Sequence, residues 1–257
     1  MNFFRSLYEY RELLKTSISN DVRGKYKNSV LGVIWSFLNP LLQIAVYAIV
    51  FPLIMRSNLP NYTVFLCCGL IPWNFFSTAT SRTSFTMIEN GNIIKKVYFP
   101  REILPLSVVT SEAINFIIST IIIVAFVLGY GMGLSKYIIF YPLILIVQYF
   151  LLIGISFIVS SVTVYFRDLQ HFIGIALQLL FYATPIVYAP DSIPQNFQWI
   201  LQFNPMTYII NGYRDIFYYQ RTPDFASLGI VLAISIALCV IGYFIFKKLQ
   251  KRFAEEM

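Results

Sequence analysis

Residues able to do covalent or ligand chemistry are few in this sequence, and their spacing does not bring them together. There is one histidine, His171, and there are three cysteines, Cys67, Cys68 and Cys239. Metal sites and nucleophilic catalysis need such groups in clusters at set spacings. The sequence also has no glycine-rich loop ending in Gly-Lys-Ser or Gly-Lys-Thr to cradle phosphates. We therefore expect a protein that is not an enzyme and that binds neither metal nor cofactor itself.

Glu112 is the only carboxylate well inside a long apolar segment. Ion-coupled carriers place ionisable groups at mid-membrane, because the coupling ion needs ligands there. Glu112 could bind a substrate or a proton, and it could equally be a buried carboxylate capped by Thr110, Ser111 or Asn115. A single carboxylate gives little support for ion coupling, so the sequence favours an external source of energy.

The segments that carry these residues predict membrane helices. Hydrophobic residues make up 58% of the 257-residue chain and charged residues 12%, about half the charged fraction of ordinary soluble domains. A helix needs roughly 20 apolar residues to cross a bilayer. On this basis the fold class is an all-α integral membrane protein with six transmembrane helices. We place these helices at residues 31–55, 64–85, 103–128, 137–161, 172–188 and 226–246. The fifth of them is short.

The basic residues predict the orientation of these helices. If the N-terminus lies inside, then all but Arg56, Lys136, Arg214 and Arg221 of the 19 Lys and Arg residues lie in cytoplasmic segments. Basic residues near membrane helices are held on the cytoplasmic side, so we expect both termini in the cytoplasm. The net charge of +7 sits in short clusters between apolar segments. That layout fits topology and contact with lipid headgroups, and it does not fit a nucleic-acid-binding face.

The chain reads as a single transmembrane domain, residues 1–257. Residues 1–28 predict a cytoplasmic segment, residues 29–246 the membrane domain and residues 247–257 a cytoplasmic tail. Within the first segment, residues 3–18 predict an amphipathic helix, since apolar residues recur there at helical spacing. Such a helix could lie in the membrane interface with its apolar face down, or it could pack on a neighbouring chain.

The outer segment between the fifth and sixth spans covers residues 189–225 and is long for a connection. Residues 194–203 and 206–219 predict two amphipathic helices separated by the break at Asn204 and Pro205. Neither is long enough to cross the membrane. We expect a pair that enters the outer leaflet and returns, and the alternative is helices lying flat on the surface.

Two short cytoplasmic loops, residues 93–100 and 164–171, combine apolar or aromatic side chains with charge. Their composition suits binding of a partner that supplies energy. Ordinary solvated turns could have the same composition. The residues that we expect at such a coupling surface are Ile94, Val97, Tyr98, Phe99, Pro100, Arg101, Phe166, Arg167 and Asp168.

Several longer motifs follow one another along the chain. They are RGKYKNSVLGVIWSFLNPLLQ at the first span, GLIPWNFF in the second, NIIKKVYFPREILPLS before the third, YFRDLQH after the fourth, and TPIVY with FNPMTYIINGYRD near the end. With these motifs in this order, the sequence resembles the membrane permeases of type-2 ABC exporters. The branch that it resembles moves lipid-linked polysaccharides such as O antigen, capsule or teichoic acid.

The resemblance implies export of a lipid-linked polysaccharide, O antigen first among them, across the bacterial inner membrane. It implies a homodimer whose copies each bind a separate ATPase subunit, so that ATP and Mg²⁺ would be held by that partner. It also implies that the N-terminal helix lies at the interface and that the segment after the fifth span forms outer gate helices. The gate residues would be Trp199, Asn204, Pro205, Tyr208 and Tyr213.

The aromatic content of 18% could serve such a transport path, because sugar rings stack their C–H faces on aromatic rings. Aromatic residues are also common in membrane spans and at membrane interfaces, so each one could be purely structural. The candidates for a channel lining are Trp35, Phe37, Tyr47, Phe51, Trp73, Phe75, Phe76, Phe181 and Tyr182.

Other functions fit the same sequence features. An exporter of this fold could carry a drug, haem or lipid without a polymer. An ion-coupled carrier or channel, which would need no ATPase, belongs to a different class and would transport by itself along an ion gradient.

Overall fold

The computed structural model describes residues 8–24, 34–55 and 59–256. The first five residues of the predicted amphipathic helix, residues 3–7, and the basic residues Lys25 and Lys27 before the first span lie outside these ranges. The helices of the described part are α1 (Arg11–Gly24), α2 (Trp35–Met55), α3 (Tyr62–Glu89), α4 (Gly91–Lys96), α5 (Ile103–Gly129), α6 (Tyr141–Tyr165), α7 (Leu169–Ala183), α8 (Gln198–Phe203), α9 (Pro205–Phe217), α10 (Phe225–Leu249) and α11 (Phe253–Glu256).

Five of these helices are long and apolar enough to cross a membrane: α2, α3, α5, α10, and α6 with the 3₁₀ turn Lys136–Phe140 before it. The predicted fifth span corresponds to α7, which has 15 residues. At about 1.5 Å per residue it rises about 22 Å, less than the roughly 30 Å hydrocarbon core. The prediction of membrane helices is thus confirmed for five spans, and length alone does not make α7 a sixth.

Helix α3 is the centre of the bundle. It packs against α2, α5, α6, α7 and α9, and most of its residues are buried. The helix continues through Pro72, whose carbonyl oxygen accepts a hydrogen bond of 2.8 Å from Nε2 of Gln148 on α6. Proline lacks the N–H that would bond to the carbonyl oxygen four residues earlier. The Gln148 amide binds the carbonyl oxygen of Pro72 itself and so joins α6 to α3 at this position.

Helices α6 and α10 approach each other closely at two glycines. A Cβ atom placed on Gly154 would lie 2.8 Å from the backbone nitrogen of Cys239, and one placed on Gly242 would lie 2.6 Å from the carbonyl oxygen of Gly154. Nearby, the thiol of Cys239 donates to the carbonyl oxygen of Phe150 across the same seam, at 2.9 Å. Small residues let membrane helices pack backbone to backbone, and this contact ties α10 to the rest of the bundle.

The amphipathic N-terminal helix lies against the protein itself. In the described residues it includes α1, which ends later than predicted and packs along α5. The half-buried residues of this segment include Tyr10, Leu14 and Ile18, which repeat at helical spacing. Tyr10 and Leu14 contact a small apolar core at one end of the bundle, to which Ile94, Phe99 and Phe253 also belong.

The segment between α7 and α10 includes the short helices α8 and α9. The break between them lies at Asn204 and Pro205, as predicted. The side chain of Asn204 caps α9 by accepting from the backbone N–H of Met206 at 3.0 Å, and Pro205 takes the first helical position. Both roles are typical of helix starts. Helix α9 is almost wholly buried and packs against α3, α5, α6 and α10, so it does not lie flat on the surface.

Candidate functional site

A cavity of about 590 Å³ opens between α2, α3 and α5. Its walls come from near the middle of α3 and α5 and from the first two turns and a half of α2. A volume of this size falls within the range of about 300–1,000 Å³ usual for small-molecule sites. A polar cavity is unusual inside a bundle of membrane helices, because polar groups there are costly and tend to mark a functional path.

Four amide side chains line the cavity from three helices. Asn39 and Gln43 come from α2, Asn74 from α3 and Asn115 from α5. Asn39 and Gln43 are four residues apart, a spacing that puts them on one face of a helix. The Nδ2 atom of Asn74 donates to Oε1 of Gln43 at 2.8 Å, which joins α3 to α2. Each amide offers both donors and acceptors, so this wall can bind groups that do both.

Aromatic rings form the other part of the wall. The rings of Phe75 on α3 and Phe116 on α5 are stacked, with centroids 5.1 Å apart and planes 10° from parallel. The ring of Tyr213 on α9 meets Phe116 edge-on at 5.6 Å, which supports the pair from behind. Trp35 adds a third ring from α2. Amides and flat aromatic faces thus share one cavity.

An ionic cluster lies beside the cavity. The Nη1 atom of Arg82 on α3 donates to Oε1 of Glu112 at 2.5 Å, and its guanidinium also pairs with Asp21 of α1. Asp21 accepts a further hydrogen bond from the hydroxyl of Ser111, while Thr110 shares a hydrogen bond with Tyr149. The geometry therefore favours a buried, structural Glu112, and the partner that it shows is Arg82, which the sequence analysis did not name.

The nine aromatic candidates for a channel lining do not share one location. Only Trp35 and Phe75 of that set contact this cavity. Trp73 and Phe181 are buried and meet edge-on at 5.8 Å, Phe76 is buried against Trp73, and Tyr182 is exposed. The remaining members, Phe37, Tyr47 and Phe51, pack at the edge of the main core. Within one chain, the structure therefore gives most of these rings a packing role.

A second groove of about 580 Å³ also lies between α2 and α5 and has almost purely apolar walls. Phe37 and Leu41 contribute from α2, and Phe126 and Tyr130 from the outer end of α5. The polar cavity and the apolar groove are therefore formed by the same pair of helices.

The predicted coupling residues divide into an exposed and a buried group. Tyr98 is 92% exposed, and Val97 and Phe166 are also exposed. Phe99 is only 7% exposed and Ile94 is buried, both in the same small apolar core. These two residues, which we expected at the coupling surface, are therefore packed inside the chain in this structure.

The other predicted coupling residues flank that exposed patch. Arg101 donates to the carbonyl oxygen of Gln250, and its guanidinium lies 5.8 Å from the ring of Phe253, so it fastens the C-terminal helices to the loop. Pro100 is half-buried, and Arg167 and Asp168 are exposed at the start of α7.

The predicted gate residues also differ in exposure. Trp199 is exposed on α8 and Tyr213 is fully buried on α9. The amide of Asn204 donates to Thr184 at 2.7 Å, and the hydroxyl of Tyr208 donates to the carbonyl oxygen of Gln202 at 3.0 Å. These bonds fix the turn between α8 and α9 and its contact with the end of α7.

Sequence reasoning missed the amides, Asp21 and Arg214. Arg214 on α9 is 1% exposed, donates to the carbonyl oxygen of Ile186 at 2.8 Å and lies 3.6 Å from the ring centroid of Phe65. The signal for the amides was present in the sequence, since Asn39 and Gln43 recur at helical spacing inside an uncharged segment. Asp21 carried no comparable signal, because its partners lie far along the chain.

The long apolar helices and the polar cavity within them are the features of a membrane transport protein. The chain belongs to the ABC-2 type transporter family, which residues 12–218 match. It is 42% identical to an O-antigen export system permease protein RfbA of Klebsiella pneumoniae, over 95% of this chain and 94% of the relative. A protein of the same name in Myxococcus xanthus is 33% identical over 98% of both chains. The polysialic acid transport protein KpsM of Escherichia coli is 24% identical, also over 98% of both.

Proposed function

We propose that this chain is the membrane permease of an ATP-driven exporter that moves lipid-linked O-antigen polysaccharide across the bacterial inner membrane. The observation that carries the proposal is the match, over nearly the full length, to permeases named for O-antigen export at 42% and 33% identity. The relative named for polysialic acid transport is more distant at 24% identity, so O antigen is preferred over a capsule polymer.

The proposed topology has six passes with both termini in the cytoplasm. Helix α7 would complete the six as the fifth pass along the chain, because the stripe that it turns away from the bundle is apolar and includes Phe172, Ile175, Leu179 and Tyr182. An apolar stripe facing outward is stable against lipid or against a second copy of the chain. Local thinning of the bilayer or association with a second copy of the chain would accommodate the short length.

The proposed working unit is a homodimer bound to two ATPase subunits. Helix α2 supports the dimer, since most of its length is exposed in the single chain, with Leu42, Ile49 and Leu53 among its exposed residues. The ATPase would bind the patch of Ile93, Val97, Tyr98 and Phe166, whose exposed apolar side chains on a cytoplasmic surface fit a protein partner. ATP and Mg²⁺ would be held by that subunit.

Helices α8 and α9 would form the outer gate in this assembly. The buried face of α9 joins it to the spans, while the exposed Trp199 and Phe203 on α8 are free to meet a partner copy or the polymer. Movement of the pair would then require the turn at Asn204 to act as a hinge.

The proposed function is tested by deleting the gene in its native host. We expect polymer to disappear from the cell surface and to accumulate, still linked to lipid, inside the cell. Expression of the wild-type chain should restore surface polymer, and co-purification should recover an ATPase with it. Normal surface polymer in the deletion strain would contradict the proposal.

A further inference from the structure

The polar cavity between α2, α3 and α5 has the chemistry of a sugar-binding site. Sugar hydroxyls donate and accept hydrogen bonds at once, as amides do. Here the amides of Asn39, Gln43, Asn74 and Asn115 converge from three helices beside the stacked Phe75 and Phe116 rings. The rings offer a flat apolar face to the C–H side of a sugar, while the amides can bind its hydroxyls.

Asn115 provides a second, independent observation. Its Nδ2 atom is shielded from solvent and has no hydrogen-bond partner within the described part of the chain. A buried donor left without a partner costs stability, so an unpaired one calls for an explanation. A donor that lines a cavity is available to a ligand that enters it.

The charge of the cavity wall limits the kind of sugar. Among the described residues that line it, Glu112 is the one ionisable side chain. Glu112 is paired with the guanidinium of Arg82, which also pairs with Asp21, and none of the described lining residues is cationic. An acidic sugar would give up its hydration there without an opposite charge in the described lining to bind, whereas an uncharged sugar would not.

We propose that this cavity is a binding subsite within each chain for uncharged sugar residues of the exported glycan, and that it discriminates against polyanionic polymers. The proposal rests on the proposed function and adds to it a location and a class of substrate. The amide wall gives the specificity, because a site that hydrogen-bonds hydroxyls binds poorly when those partners are absent. The lack of a cationic side chain in the described lining disfavours acidic polymers, because a charge that enters without a partner loses its hydration uncompensated.

Binding is tested on the purified full-length chain in lipid nanodiscs. A photoreactive p-benzoylphenylalanine replaces Thr78, which is exposed at the cavity wall, and the matched control carries it at Ile146, an exposed position on α6. The probes are biotin-tagged maltoheptaose, which is uncharged, and a biotin-tagged sialic acid oligomer, which is acidic. We expect labelling by maltoheptaose several-fold above the control, and labelling by the acidic oligomer at the control level.

Export is tested in the native host with Asn115→Leu, which removes the amide at nearly constant size and breaks no bond within the described chain. Loss of one hydrogen bond of about 1 kcal/mol corresponds to a fall of about fivefold in surface polymer made per minute. Asn20→Leu on the exposed face of α1 is the control and should export as the wild type does.

The outcomes separate this inference from the proposed function. Suppose that the deletion strain lacks surface polymer, that Asn115→Leu exports at the wild-type rate, and that position 78 is not labelled. These results together would overturn the sugar subsite and would still support the proposed function. Preferential labelling by the acidic oligomer, or an exported polymer that proves to be polyanionic, would overturn the charge argument. Normal surface polymer in the deletion strain would remove the proposed function and this inference with it.

Discussion

Arg82 joins two carboxylates that belong to different helices, and its removal should free α1. In an Arg82→Met variant, Glu112 stays buried beside Asp21 without the guanidinium. Breaking a buried pair in this way costs up to about 3–5 kcal/mol, less where a partner is partly exposed, as Asp21 and Arg82 are. We expect faster hydrogen exchange across α1 and a lower Tm, measured by mass spectrometry and thermal unfolding.

The control for this prediction is Lys15→Met. It removes an exposed pair between Lys15 and Glu12 on the same helix, which should be worth less than about 1 kcal/mol. Unchanged exchange in α1 of the Arg82→Met variant would show that the apolar face of α1 is enough to hold it.

Tyr98 and Phe99 are neighbours in the sequence, and substitutions at the two should fail differently. Tyr98→Ala removes an exposed ring from the proposed docking patch, so we expect loss of the ATPase on purification with the Tm unchanged. Phe99→Ala removes a buried ring, which typically costs about 3–5 kcal/mol of stability. We therefore expect a lower Tm as the main effect of this substitution. Co-purification with the ATPase and thermal unfolding of both variants distinguish the two cases. Full retention of the ATPase by Tyr98→Ala would rule out its role in docking.

At the scale of elements, the contact between α6 and α10 depends on the absence of a side chain. In Gly154→Ala the new methyl group would lie 2.8 Å from backbone atoms of α10, and backbone cannot move aside as a flexible side chain can. Overpacking of this kind typically costs about 1–3 kcal/mol. We expect a lower Tm and poor recovery from the membrane.

The matched control is Gly174→Ala on α7, where a Cβ atom would meet nothing within 4 Å. It should raise helix propensity slightly and leave the Tm equal or higher. Equal Tm values for Gly154→Ala and the wild type would mean that α10 can shift outward at little cost.

Helices and breaks could be predicted from this sequence, whereas partners could not. The turn at Asn204 and Pro205 was predictable because capping and proline are local effects. The burial of Phe99 was not, since its loop shows the same mixture of aromatic and charged residues whether a ring faces inward or outward. The pairing of Arg82 with Asp21 joins residues 61 positions apart, and no periodicity within one helix carries that information.

At the scale of the whole molecule, the proposed topology places the loop before α6 and the loop after α7 outside. In a chain with Cys67, Cys68 and Cys239 replaced, single cysteines at Lys136 or Pro190 should react with a membrane-impermeant thiol reagent added to intact cells. The reagent needs passage through any outer membrane, so that membrane is opened first.

Cysteines at Asn92 and Gln170 are the controls and should react only after the cells are broken, since basic residues beside them hold those loops inside. Reaction of the Asn92 variant in intact cells would overturn the orientation. Protection of both Pro190 and Gln170, with Lys136 accessible, would show that α7 does not cross the membrane.

The ionic cluster also has a consequence for biogenesis. Asp21 leaves the ribosome long before Ser111, which follows 90 residues later. At about 5–20 residues per second, the partners of Asp21 on α5 are made roughly 5–20 s after it. Arg82 on α3 and Ser111 on α5 are both present only at the end of that interval, so the contacts of Asp21 with them cannot be complete before then. The final position of α1 is therefore a late event of synthesis, set when α3 and α5 have both entered the membrane.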